Sequence, residues 1–176
     1  GKQIYPVATD CILRMEFSAM IPERISTRQL VFQGQKESGG AYTTFFPTIL
    51  AMRGDNGQIT FMGDNVVGKY IEGKWYHFVI SYDFTNNKAS LYINGICAVD
   101  NYDIPAEQQM YSLSYIRFEG LASESKESAM YLDDVILAKC HKGSPFDKTK
   151  ISTEITSDTL TVSKGYHSGV IVTNLD

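Results

Sequence analysis

The segment from Trp75 to Ile96, WYHFVISYDFTNNKASLYINGI, limits what this chain can fold into more than any other. Aromatic and β-branched residues crowd Trp75–Tyr82, polar residues fill Asp83–Lys88, and a second β-rich run follows at Ala89–Ile93. Such residues pack well on a pleated surface, so the pattern reads strand, turn, strand. Asn94-Gly95 then favours a tight reversal, because both residues tolerate the positive φ of a two-residue hairpin loop. A centre of this kind predicts antiparallel sheet.

The flanking segments carry the same signal. Across Cys11–Ile21, Leu13, Met15 and Phe17 alternate with Arg14, Glu16 and Ser18, the period-2 pattern of a half-buried strand. Tyr111–Glu119 repeats it, with Ile116 and Phe118 on one face and Tyr115, Arg117 and Glu119 on the other. Gln29–Gln33, Thr48–Met52 and Gln58–Met62 read as further strands, the last two joined by a hairpin turn at Arg53–Gly57. Gly34–Thr44 reads as a polar, Gly-rich loop, Gly63–Gly73 as turns, Asp100–Gln109 as a polar connection and Leu121–Ser128 as a charged loop. Nothing holds a 3.6-residue period for two turns, so no helix is expected. Alternation predicts a core of Leu13, Met15, Phe17, Phe78, Ile80, Leu91, Ile93, Ile116, Phe118, Val135 and Leu137. From Gly143 onward Ser, Thr and Lys increase, and Thr159–Val162 and Val170–Thr173 read as two more strands. Residues 1–142 are thus expected to form one β-sandwich. Residues 143–176 are expected to form a C-terminal β extension, either a packed hairpin or the start of a following segment.

Composition removes several function classes. A net charge of −4 without a basic cluster argues against nucleic acid as partner, since phosphates require a concentrated positive surface. No apolar run approaches the roughly 20 residues that cross a bilayer as a helix, so no membrane insertion is expected. Cys11, Cys97 and Cys140 lack metal-ligand spacing, which argues against zinc and leaves two readings open: three buried free thiols, or one disulfide and one thiol. Tyr makes up 11 of the residues, which suits both half-buried sheet positions and sugar-stacking surfaces.

Two motifs carry a resemblance to a known family. Trp75-x-His77 leading to Tyr82-Asp83, followed by Leu91-Tyr92-Ile93-Asn94-Gly95, resembles the laminin-G-like, concanavalin A-like sandwiches. Tyr131-Leu132-Asp133-Asp134-Val135 in AMYLDDVILAK resembles their closing strand. The resemblance implies a jelly roll of two antiparallel sheets, working outside the cell or at its surface. It implies a structural core position for Trp75 and a packed or hydrogen-bonded His77. First and last strands lie side by side in that family, so a disulfide, if formed, would join Cys11 to Cys140. Such sandwiches often hold a structural Ca²⁺, for which Asp10 and Asp134 are the candidate ligands here.

Sandwiches of this shape also host hydrolases and lyases, but the paired carboxylates of the laminarinase type, Glu-x-Asp-x-x-Glu, are missing. The Gly-x-Ser-x-Gly nucleophile elbow is missing too. Arg53-Gly54-Asp55 matches the integrin tripeptide, yet a hairpin tip selects those residues anyway. The resemblance, without the catalytic carboxylate pattern, implies a non-catalytic carbohydrate-binding accessory module of a larger secreted bacterial protein, expected to be monomeric as an isolated domain. Its rivals are a protein-binding adhesion module and a lyase or hydrolase assembled from distant strands. A glycan is expected on a sheet face bearing Arg14, Glu16, Tyr115 and Arg117, or in neighbouring loops with Tyr42 and Phe45. The bland alternative for that face is a solvated, ion-paired sheet surface.

Overall fold

The computed structural model describes residues 2–3, 11–120, 129–141 and 171–172. Asp10, Leu121–Ser128, Thr159–Val162 and most of the C-terminal extension lie outside the described residues. The strands in chain order are β1 Lys2–Gln3, β2 Cys11–Met20, β3 Arg28–Ser38, β4 Ala41–Phe45, β5 Thr48–Met52, β6 Gln58–Phe61 and β7 Asn65–Lys69. They continue with β8 Trp75–Asp83, β9 Lys88–Ile93, β10 Ile96–Asp103, β11 Ser112–Gly120, β12 Tyr131–His141 and β13 Ile171–Val172. One short 3₁₀ turn, Ala106–Gln108, precedes β11.

These strands form two sheets. The first runs β1-β11-β3-β5-β6-β7, with β4 paired to the far end of β3; the second runs β10-β9-β8-β2-β12-β13. Every pairing is antiparallel except the last, where Ile171 and Val172 lie parallel to Ile136 and Leu137 on the edge of β12. The fold is therefore all-β, a two-sheet antiparallel sandwich, as the alternation predicts. The Asn94-Gly95 reversal is present, both residues adopting positive φ (50° and 77°) between β9 and β10.

The two sheets bury their apolar faces against each other. Leu13, Met15, Phe17, Phe78, Ile80 and Leu91 from the second sheet meet Leu30, Phe32, Met52, Ile59 and Phe61 from the first, all fully buried. Three aromatic contacts tie the layers together. Phe17 meets Phe118 edge-on at 5.0 Å between ring centroids, Phe32 meets Tyr82 at 5.9 Å and Phe61 meets Tyr102 at 6.5 Å. Ile93, Ile116, Phe118, Val135 and Leu137 complete the expected set from half-buried positions on the core's margin.

Four expectations are corrected. Gly34–Thr44 is not a loop: β3 continues to Ser38, turns at Gly39-Gly40 with φ of 61° and 81°, and returns as β4. The hairpin extends past the core, so β4 is exposed along nearly its whole length and carries no apolar alternation to read. Gly63–Gly73 contains β7, and β10 runs on to Asp103, both at sheet edges where backbone pairing rather than burial makes the strand. Cys97 is a free, exposed thiol, because β10 is an edge strand whose outer face is not covered. β2 and β12 lie side by side, and the register pairs Cys11 with His141 and Cys140 with Ile12.

Phe17 is 1% exposed and touches both Phe78 and Phe118, so Phe17→Ala should cost about 3–5 kcal/mol in urea unfolding. Half-buried Phe118 should cost less on truncation. Equal stability of Phe17→Ala and the parent would refute this packing.

Candidate functional site

The pairing register lays the outward residues of the second sheet out as rows. Met20 lies between Tyr131 and Trp75, Ser18 between Asp133 and His77, Glu16 between Ile136 and Val79, and Arg14 between Ala138 and Ser81. Tyr92 and Cys97 extend the Glu16 row, and Ser90 extends the Arg14 row. Trp75 belongs to this outer face, half-buried, and not to the core. The core positions of β8 are Phe78, Ile80 and Tyr82, so pleating turns Trp75, His77 and Val79 the other way. The apolar character of both faces of β8 conceals this from the sequence.

A polar chain crosses the face. Ser18 Oγ lies 3.2 Å from His77 Nδ1, His77 Nε2 lies 3.2 Å from Glu16 Oε1, and Arg14 Nη2 lies 2.5 Å from Glu16 Oε2. With the ring proton on Nε2, His77 donates to Glu16 and accepts from Ser18. The hydrogen bond from His77 holds the Glu16 carboxyl below its usual range, against the opposing effect of burial, and Arg14 reinforces it. His77 is thus hydrogen-bonded, as the motif predicts. The backbone locks it as well, since His77 N donates to Asn94 Oδ1 at 2.8 Å. Arg14 Nε is shut off from solvent and, among the described residues, has no hydrogen-bond partner.

Ser18, His77 and Glu16 share the residue types of a hydrolase triad, but Ser18 is only 2% exposed and its hydroxyl cannot reach a substrate. An ion-paired Glu16 with a depressed pKa remains a carboxylate and is a poor general acid. The face sets an aromatic row, Tyr131 and Trp75 flanking Met20, beside a row of polar groups.

Tyr115, Arg117 and Glu119 do not join Arg14 and Glu16. They point outward from the first sheet, on the opposite side of the sandwich, which corrects the expectation of one shared face. Arg117 Nη2 lies 3.5 Å from Glu119 and its guanidinium sits 5.2 Å over the Phe46 ring. Glu119 accepts from Gln29 Nε2 at 2.9 Å, and Gln29 accepts from Thr48 at 3.3 Å. Arg53 is paired with Asp64, so the Arg53-Gly54-Asp55 turn has its own structural use for the arginine.

Tyr42 and Phe45 occupy a third place, on β4. Tyr42 is exposed and tilts against Tyr111 at 4.7 Å, while Phe45 is half-buried beneath Lys36, whose Nζ lies 5.2 Å from the ring centre. Tyr111 also borders a cleft of about 240 Å³ lined by Lys36, Phe84, Asn87, Ala106, Gln109 and Met110. No pattern in the sequence announces this cleft, because its walls come from the β3–β4 hairpin, the β8–β9 turn and the β10–β11 connection.

Asp134 sits exposed at a bulge in β12 with φ of 50°, and its N–H donates to Asp133 Oδ1 at 2.9 Å. Among the described residues no three His, Cys, Asp or Glu groups converge on a point, and Asp10 lies outside them.

No protein-family model matches the chain, and no curated protein matches it. Among solved structures, a Trypanosoma rangeli sialidase superimposes with a TM-score of 0.54 at 13% identity, over 84% of this chain and 22% of that one. The same sialidase in complex with sialic acid gives 0.55 at 13% identity, over 84% and 23%. A further sialidase gives 0.55 at 11% identity, over 78% and 14%. At these identities the likeness shows the fold, and the chain spans less than a quarter of each of these three sialidase chains.

Glu16 carries a pH signature. Its folded pKa is lowered, so the stabilisation is present above the unfolded value near 4.5 and is lost as pH falls through the folded value. Glu16→Gln should therefore flatten the loss of stability below about pH 4.5 seen in the parent. Parallel stability curves for the two proteins across that window would refute the network.

Proposed function

We propose that this domain is a non-catalytic carbohydrate-binding module, an accessory part of a larger secreted bacterial protein acting outside the cell or at its surface. The observation that carries the reading is the outer face of the second sheet, where the Tyr131–Met20–Trp75 row adjoins Asp133 and His77, with Glu16 and Arg14 beyond. A pyranose ring has an apolar C–H face and a rim of hydroxyls. It calls for planar aromatic area next to groups that both donate and accept hydrogen bonds. Tyr131 is 52% exposed and Trp75 half-buried, so the aromatic row is accessible. The Arg14–Glu16–His77 chain is already linked, so its remaining donors and acceptors are pre-oriented, which reduces the ordering cost of binding.

The ion-paired Glu16 and the buried Ser18 support a binding role over a catalytic one. A match to one part of longer sialidases is in keeping with an accessory domain.

A glycan array probed with the domain, with and without a calcium chelator, tests the reading. The parent should bind weakly, and Trp75→Ala and Tyr131→Ala should each lower affinity by about tenfold with unchanged far-UV circular dichroism. Variants that bind as well as the parent would dismiss this face. An array on which nothing binds would move the protein-binding adhesion reading ahead.

A further inference from the structure

We infer that the cleft between the β3–β4 hairpin, the β8–β9 turn and the β10–β11 connection is a second saccharide site, selective for a sugar unit carrying a carboxylate. The inference rests on the glycan-binding reading but uses a different place in the fold. Trp75 opens β8, whereas Phe84 follows its last residue, so at about 3.3 Å per residue the two sites lie roughly 30 Å apart, at opposite ends of the sandwich.

Size and lining point to the class of ligand. A volume of about 240 Å³ falls below the range of roughly 300–1,000 Å³ typical of pockets for drug-sized molecules, and suits a single sugar ring. Its aromatic lining is Phe84 and Tyr111, and Tyr111, 46% exposed, is braced by Tyr42, which does not itself line the cleft, with ring centres 4.7 Å apart. That mutual contact holds Tyr111 in place at the mouth of the cleft. The polar groups are Lys36 and two amides, Asn87 and Gln109. Gln109 spends its amide N–H on Ile104 O at 2.9 Å, which leaves its own carbonyl to accept a hydroxyl.

Lys36 decides the charge. Among the described residues lining the cleft it is the one charged side chain, and none of them is acidic. Its ammonium is fixed by donating to Glu107 O at 2.7 Å and by lying 5.2 Å over the Phe45 ring. Neither partner is an anion, and among the described residues no carboxylate forms an ion pair with it. An ammonium with two remaining N–H donors beside an aromatic wall is positioned for a carboxylate on a sugar ring, and charge-assisted hydrogen bonds are about twice as strong as neutral ones.

The test is a ¹⁵N-HSQC titration of the whole chain with methyl glucuronoside, methyl glucoside and acetate. The uronoside should shift Lys36, Asn87 and Tyr111 and bind on the order of tenfold more tightly than the glucoside. Lys36→Gln should erase that preference, Lys36→Arg should keep it, and Tyr111→Ala should weaken both sugars. Equal affinity for the two sugars, a preference that survives Lys36→Gln, or acetate binding as tightly as the uronoside would overturn the inference. Shifts confined to the residues around Trp75 and His77 would overturn it while leaving the glycan-binding reading standing. Shifts nowhere, with any sugar, would remove both.

Discussion

The edge-on contact of Phe17 with Phe118 is the constraint from which the functional surfaces follow. β2 and β11 belong to different sheets, and these two rings meet at 5.0 Å across the interior. Alternation then sends the neighbours of each ring the opposite way. Glu16 leaves the sandwich through one side and Arg117 through the other. Each sheet thereby presents its own Arg-x-Glu step, and no rearrangement short of a register slip could bring the two together.

Both outer faces are more occluded than an ordinary wet sheet surface. Ser18, Val79, Ser90 and Tyr92 on the second sheet, and Val31, Ala51 and Thr60 on the first, are all buried. Polar groups in such surroundings are costly unless bonded, which is why Ser18, His77, Glu16 and Arg14 form a chain and not four independent side chains. Groups fixed by each other in this way have little rotamer freedom left. The linkage also removes the proton mobility that acid–base chemistry would require of Glu16.

The legible parts of the site were those on strands with a clear inside and outside. Arg14 and Glu16 alternate with Leu13, Met15 and Phe17, so their outward direction could be read from β2 alone. His77 could be recognised as hydrogen-bonded through its motif. Trp75, expected in the core, lies on the outer face, and β8 hides this because Tyr76, Phe78 and Ile80 on one face and Trp75 and Val79 on the other are all apolar in character. Tyr131, on the neighbouring strand, gained its role only through the register that sets it across Met20 from Trp75. The cleft at Lys36 was invisible for a related reason: its walls are separated by long stretches of chain and share no periodicity.

Local chemistry by itself determined the strands with clear alternation, the Asn94-Gly95 reversal and the core residues those strands supply, since period-2 burial and positive-φ turns are written in neighbouring residues. It also determined the absence of paired catalytic carboxylates of the laminarinase type. Tertiary structure alone decided which strands share a sheet, that β3 and β4 project beyond the core as a hairpin, and which outward residues stand together. Those outcomes depend on pairing between segments far apart in the chain. Backbone hydrogen bonding is nearly indifferent to residue type, so the choice among partners falls to the packing of the whole core.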